Sequence, residues 1–312
     1  MPKGGTGTIM NQSLDKNLEQ SKIQNILREI DFENVTSGLP TGFTKLDQIL
    51  NGLQEGNLII VGGKSIGKTS FVLNICSNVA VKTDTCVSYF SLATKADLIA
   101  NRLVAAESNV DLKHLNRNML TENEWGKLTM GMGSLASANL HIFDDPIISV
   151  KDIEEKTTAL QKEYPDVKHL IAVDYLSLLD PEGQQSRYEQ TDFIVKKLKI
   201  MARTLNCAII LIVNLSRNYD KRIENNMRNT FPRLSDLRDS GTIEEDADVV
   251  ILLHKDLRYK DEYELELEDY SANIIDVIVD KHRNGTIGGL QLSFIKEYSK
   301  FVNFEGSRYE ES

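Results

Sequence analysis

The 312 residues carry 46 acidic against 36 basic side chains, a formal net charge of -10, with 41% hydrophobic residues. That balance describes a globular chain long enough for one large α/β domain or two ordinary ones. It excludes a globally cationic nucleic-acid binder, so any attraction to DNA has to come from a local basic surface. No run approaches the roughly 18 apolar residues that span a bilayer, and the opening MPKGGTGTIM has no apolar core of a secretory signal, so a cytoplasmic protein without a membrane partner is expected. Cys76, Cys86 and Cys207 each sit in an apolar stretch and read as small buried hydrophobes in a reducing compartment.

Residues 1–13 are rich in Gly, Ser and Thr and read as a mobile leader. Leu14, Leu18, Ile23, Ile26, Leu27 and Ile30 then recur at helical spacing. This amphipathic helix either folds back on its own domain or docks on a neighbouring subunit. The loop Ser37-Gly38-Leu39-Pro40-Thr41-Gly42 marks a boundary. Beyond it strands and helices alternate, the pattern of a parallel sheet with helical crossovers. Strands are expected at Leu58–Val61, Cys86–Ser91, Leu140–Phe143, His169–Asp174, Cys207–Val213 and Ala247–Leu253. Helices are expected at Ser70–Ala80, about 95–107, 121–136, Val150–Glu163 and 187–205. Residues 273–304 read as β-rich, closing with Leu290–Phe294 and Phe301–Phe304. Two polar connections interrupt the alternation. Residues 215–233 carry Arg217, Lys221, Arg222, Arg228 and Arg233, a loop length that is usually functional or mobile. Residues 255–270 are acidic and read as a solvated excursion.

The chemistry starts at LIIVGGKSIGKT. Gly62, four further residues and Gly67-Lys68-Thr69 follow an apolar strand and precede a helix, as a phosphate loop requires. Gly62, Gly63, Lys64, Ser65, Ile66, Gly67, Lys68, Thr69 and Ser70 are the expected nucleotide-binding residues. Their backbone N–H groups and the helix's positive end face the phosphates. Lys68 reaches the β/γ-phosphates and the Thr69 hydroxyl ligates Mg²⁺. A plain Gly-rich turn would have no use for the Lys-Thr pair. Asp174, at the end of LIAVD, is the expected second metal ligand. Hydrolysis also needs a group that orients or deprotonates water, worth about 10²–10⁴-fold. Where the strand after a phosphate loop lies beside it, that carboxylate stands at the strand's end. Here the strand ends Tyr89-Phe90-Ser91-Leu92-Ala93-Thr94, with no acid before Asp97. Asp97 would substitute only if the turn brought it forward.

From Leu39 to Phe304 the chain resembles the C-terminal, RecA-like ATPase domain of DnaB-type replicative DNA helicases. The stretches LPTGFTKLDQILNGLQEGNLIIVGGKSIGKTSF, IAVDYLSLL, LSDLRDSGTIEEDADVVILLHKD and DKHRNG carry the likeness. EWGKLTM and FIKEYSKFVNFE point towards phage or mobile-element members. The resemblance implies an α/β RecA-like core with a mostly parallel sheet flanked by helices over 38–306. A leader and linker helix would precede it over 1–37, and a tail would follow over 307–312. It implies ATP and Mg²⁺ as ligands, single-stranded DNA as partner, a hexameric ring of like subunits, and a primase or helicase loader. In DKHRNG it makes Lys281 and Arg283 the charges that reach a neighbour's γ-phosphate. Read alone, a Lys-x-Arg after a strand is a solvated edge. Arg238, Asp239 and Gly241 match the family's grip on DNA phosphates, and Asp239 or Ser240 would also cap the next helix. The 215–233 segment, with Arg217, would be a second channel-facing loop.

The departures are specific. Ala93 stands where the family's catalytic glutamate is expected. Asn214 stands where a glutamine senses the γ-phosphate, and Ser177 where a glutamine follows the metal-binding Asp-Tyr-Leu. The N-terminal collar domain is expected to be missing, which favours the intersubunit reading of the 14–31 helix. The resemblance therefore implies an ATP-driven DNA helicase with Lys68, Asp174, Asn214, Lys281 and Arg283 at its catalytic centre. The alternative is a hydrolysis-impaired relative that binds nucleotide and DNA or a helicase partner as a regulator. A recombinase-like filament protein fits DLRDSG and DKHRNG poorly.

Overall fold

The structure, a computed structural model, describes residues 37–184, 186–224, 231–237, 240–255 and 274–305. Their framework is a nine-stranded sheet in the order β3-β2-β4-β5-β1-β6-β7-β8-β9. The strands are β1 Leu58–Gly63, β2 Thr85–Ser91, β3 Leu140–Phe143, β4 Lys168–Asp174, β5 Ala208–Asn214, β6 Val249–His254, β7 Ile274–His282, β8 Gly288–Ile295 and β9 Lys300–Asn303. From β3 to β6 neighbours pair in parallel, and β7, β8 and β9 add antiparallel pairs. β1, β2 and β6 are buried along their whole length. Strands covered on both faces have no solvated side, which is why β1 and β6 read as nearly unbroken apolar runs, whereas β2 also buries Thr85, Ser88 and Ser91.

The helices are α1 Thr44–Leu50, α2 Lys68–Lys82, α3 Ala96–Ser108, α4 Leu112–Arg117, α5 Glu122–Ala136, α6 Val150–Glu163, α7 Arg187–Thr204, α8 Arg217–Glu224 and α9 Ser240–Asp246. Two apolar clusters separate them by face. Leu46, Phe71, Ile75, Ile99 and Leu103 from α1, α2 and α3 pack on one side. Ile153, Ile194, Leu198 and Ile243 from α6, α7 and α9 pack on the other. Three helices begin with reciprocal capping boxes, Thr121 with Glu124, Ser149 with Asp152 and Ser186 with Glu189. Each satisfies donors that a helix start otherwise leaves open. The Glu124 carboxylate drops to about 2 because Thr121 and His114 hydrogen-bond its charged form.

One connection differs from expectation. Residues 217–224 form α8 rather than a long irregular loop. Its composition hides the helix, because one apolar anchor and ion pairs to residues outside it hold it. Tyr219 is 3% exposed and its hydroxyl shares a 3.1 Å hydrogen bond with His254 Nδ1. The Arg222 guanidinium is bound to buried Asp236 and to the Phe231 carbonyl. The 14–31 helix, residues 225–230, the acidic excursion beyond Lys255, and both Arg238 and Asp239 lie outside the described residues. Among the described residues no helix is long and apolar enough to cross a membrane.

Candidate nucleotide site

β1 is the middle strand of the nine, flanked in parallel by β5 on one side and β6 on the other. The chain leaves its C-terminal end through Gly63 and enters α2 at Lys68. Two glycines are demanded by geometry. Gly67 caps α2 with φ 86°, in the left-handed region. At Gly62 a Cβ would lie 2.6 Å from Leu237 Cδ2 and 2.8 Å from Leu252 Cδ2, so a side chain there would force two buried leucine tips aside. Gly67 offers no side-chain cap, and the first N–H groups of α2 receive none from it. Those donors and the positive end of a helix of this length suit an anion.

The polar groups converge beside this loop. Lys68 Nζ donates to the Gly63 carbonyl at 2.6 Å, folding its side chain back over the loop. Burial pulls its pKa below the lysine range, and the nearby Asp174 charge pulls it back up. The Thr69 hydroxyl donates to Asp174 Oδ2 at 2.6 Å. Asp174 ends β4, and its carbonyl accepts the Leu92 N–H just past β2. Asn214 ends β5 directly opposite Gly63 in the register. Lys68, Thr69, Asp174 and Asn214 thus meet at one end of the sheet. Thr69 and Asp174 are hard oxygen donors placed together, the small donor set that Mg²⁺ accepts when phosphates and water complete its shell. Among the described residues no group of three or more His, Cys, Asp or Glu could hold a metal ion.

Tyr89 belongs to this cluster and is missed by motif reasoning. Its hydroxyl donates to Asp174 Oδ2 at 2.9 Å. Burial, then the Asp174 charge, push its phenol pKa well above the usual value. The available signal is a polar-tipped aromatic inside the otherwise apolar strand that pairs with β4. Lys64 and Asp220 form a second unexpected contact at 2.7 Å, tying the phosphate loop to α8.

Lys281 and Arg283 lie elsewhere. β7 runs antiparallel to β6, so Lys281 pairs with Val250 and His282 with Val249, which in turn pairs with Ile59. They sit level with the start of β1, while the phosphate loop leaves its far end. The intervening strand, Ile59 to Gly63, spans roughly 13 Å. Lys281 Nζ and Arg283 instead donate to the carbonyls of Glu244 and Glu245, in the last turn of α9. Gly241 is exposed in the first turn of α9, and Arg217 is exposed at the start of α8.

Residues 38–303 match the family model of the DnaB-like helicase C-terminal domain. The chain belongs to that family. It is 42% identical over 279 residues to the replicative DNA helicase DnaB of Geobacillus stearothermophilus, covering 88% of this chain and 58% of that protein. It is 42% identical over 272 residues to the replicative DNA helicase DnaC of Bacillus subtilis, covering 86% of this chain and 57% of the relative. The chain therefore spans less than two thirds of either relative. Among solved structures, the ATPase domain of G40P superposes with a TM-score of 0.83 at 34% identity, covering 92% of this chain and 98% of that one. A DnaB-like replicative helicase described with its primase interactions superposes with a TM-score of 0.81 at 34% identity, covering 91% and 66%. The RecA-like fold expected from the sequence is the fold of this DnaB-like domain, and nucleotide–Mg²⁺ chemistry is a general trait of the family.

Within this DnaB-like domain Ala93 is exposed, in the turn between β2 and α3. The Ser91 hydroxyl closes that turn by donating to the Thr94 carbonyl at 2.6 Å. Asp97 accepts the Leu98 N–H at 2.8 Å, in the first turn of α3. Asp144, at the end of β3, accepts the Ala96 N–H at 2.8 Å. Both acids serve the start of α3. Ser177 is exposed in the short turn of 3₁₀-helix after β4.

Proposed function

We propose that this chain is the ATP-driven motor domain of a replicative DNA helicase, assembled as a ring of like subunits on single-stranded DNA. ATP is the substrate held at Gly62–Ser70. Mg²⁺, bound with it, would offset charge on the phosphate oxygens. Thr69 and Asp174 would hold that ion, Tyr89 would orient the Asp174 carboxylate, and Lys68 would leave the Gly63 carbonyl to meet the β/γ-phosphates. Asn214, at the end of β5, is placed to sense the γ-phosphate.

The observation that carries the assembly is the placement of Lys281 and Arg283 at the opposite end of the sheet from their own phosphate loop. Charges that cannot approach their own nucleotide can serve that of the next subunit, where a guanidinium stabilises developing phosphate charge. Mass measurement with and without ATP analogue tests this reading. Nucleotide-dependent assembly is expected, and a protein that stays monomeric at working concentration overturns the ring.

DNA contact would come from Arg238, Asp239 and Gly241 before and within α9, and from Arg217 at the start of α8. Arg222 is committed to Asp236 and contributes no free charge. Arg238→Ala is expected to weaken single-stranded DNA binding at every sequence and to lower the slope of log K against log salt by about 0.7 per lost phosphate contact. Arg217→Ala is expected to behave alike. A titration series in salt with unchanged slopes removes these residues from the DNA surface.

Ala93 favours a second reading, in which the same module binds nucleotide but turns it over slowly and acts on DNA or a helicase partner as a regulator. Binding and turnover separate here because the phosphate and metal ligands are present while the water-activating carboxylate is not.

A further inference from the structure

Arg283 does not hang free from the end of β7. Its backbone N–H donates to the Asp248 carbonyl at 2.8 Å. Its Nε lies 3.8 Å from Asp248 Oδ1, and a terminal nitrogen donates to the Glu245 carbonyl at 2.6 Å. Asp248 is itself held firmly. Its Oδ2 accepts the Leu58 N–H at 2.8 Å and Lys199 Nζ at 2.6 Å, and its backbone N–H donates to the Leu58 carbonyl at 3.0 Å. Lys199 also donates to the Gly56 carbonyl at 2.8 Å. The Asp248 side chain is 4% exposed against 50% for Arg283. One buried carboxylate therefore joins the start of β1, α7 and the stem of a half-exposed guanidinium.

We propose that Asp248 is a positioning residue, holding the Arg283 guanidinium of one subunit where it meets the γ-phosphate bound to the next copy of the chain. The inference rests on the reading of Lys281 and Arg283 as charges that act across a subunit boundary. A long arginine side chain has many rotamers, and a charge aimed at a phosphate is effective only when few of them are populated. The Asp248 carbonyl fixes the Arg283 backbone, the Asp248 carboxylate draws on Nε as an ion pair from 3.8 Å, and the Glu245 carbonyl fixes one tip. Arg283 carries more N–H donors than these contacts use. Lys281 is close enough that its pKa falls through burial and then through repulsion from Arg283. Asp248, with Glu244 and Asp246, offsets this repulsion, and of the three only Asp248 also forms an ion pair with Arg283. Asp192 takes part on the far side of α9, accepting from the Thr242 hydroxyl at 3.2 Å and so pinning that helix to α7.

The test reads γ-phosphate recognition without requiring turnover. In the assembled full chain, the ratio of affinities for a non-hydrolysable ATP analogue and for ADP reports the charge supplied by the neighbour. Asp248→Asn keeps an acceptor for Leu58 but loses the charge. It is expected to cut that ratio by about five- to tenfold, less than the loss of a whole charge-assisted contact because the guanidinium remains and only its aim loosens, and to leave ADP affinity unchanged. Mixing it with Lys68→Ala subunits, whose own sites are blind but whose Arg283 is intact, is expected to restore the ratio at the Asp248→Asn sites. Lys199→Met breaks the same cluster on the side away from Arg283 and is expected to lower melting temperature while keeping the ratio. If Lys199→Met loses the ratio as fully as Asp248→Asn, or if mixing restores nothing, Asp248 is structural and the proposal falls. Arg283→Ala is the control for the underlying reading. A full ratio in Arg283→Ala removes the trans charge itself, whereas a low ratio there with a full ratio in Asp248→Asn overturns only the role of Asp248.

Discussion

Lys68→Ala is expected to abolish most nucleotide recognition while leaving the fold intact. The ammonium folds onto the Gly63 carbonyl and is disfavoured there by burial, so its removal relieves a desolvated charge. The ligand-free melting temperature is therefore expected to hold or rise. With ATP the comparison reverses. A hydrogen bond to a charged group contributes about 1.5–3 kcal/mol, which is roughly a 10- to 150-fold loss of affinity. Loss of a preorganised charge at the transferring phosphate removes about 10²–10³ more from turnover than from binding. Three measurements separate these effects: melting without ligand, the melting shift on adding ATP–Mg²⁺, and the hydrolysis rate. Ligand at 100 times its dissociation constant stabilises a protein by about 2.7 kcal/mol, so the shift shrinks visibly when affinity falls. A variant that keeps the full shift removes Lys68 from the nucleotide site.

The parts of this architecture that read directly from the residues are those with a local cause. Strand β1 and the loop after it are legible because an apolar run, two glycines and a Lys-Thr pair each have one physical explanation, and these coincide. β1, β5 and β6 are legible because burial on both faces leaves almost no polar position in them. What stays hidden is held by single long-range contacts. Tyr89 looks like core until Asp174, 85 residues away, is placed beside its hydroxyl. Helix α8 looks like a polar loop because its stability comes from Tyr219 on His254 and Arg222 on Asp236. The placement of Lys281 and Arg283 depends on the direction of β7, which composition does not encode. Their distance from the phosphate loop appears only once the registers of β7, β6 and β1 are joined. Asp248 does not stand out in sequence either, since it is the last of four acids in Glu244-Glu245-Asp246-Ala247-Asp248 and nothing there separates it from the other three. Its importance lies in bringing Leu58, Lys199 and Arg283 together.

Ala93→Glu is expected to raise the ATP hydrolysis rate by about 10²-fold or more, within the 10²–10⁴ range of a positioned general base. The position is suited to the substitution. Ser91 pairs with Asp174 across β2 and β4, so the turn that follows begins beside the proposed metal ligand. Ala93 is exposed, and the turn is closed by Ser91 and Thr94 rather than by Ala93. A glutamate there displaces no packed neighbour, and its effect on stability is expected to stay within about 0.5 kcal/mol. Affinity for ATP is expected to remain unchanged, because the group acts on water and not on the bound nucleotide. The change therefore appears in kcat with KM constant, the pattern of an interaction made only in the transition state. Asp97→Ala provides the counterpart. Asp97 accepts its own helix's N–H at Leu98, so its loss is expected to affect the start of α3 and not the rate. If Ala93→Glu leaves the rate where it was, the missing carboxylate is not what limits turnover. If the unaltered chain already hydrolyses ATP as fast as its Geobacillus relative, the regulator reading fails and another group activates the water. A rise confined to Ala93→Glu, with Asp97→Ala silent, makes the side chain at position 93 the limit on turnover and Asn214 and Ser177 departures that the site tolerates.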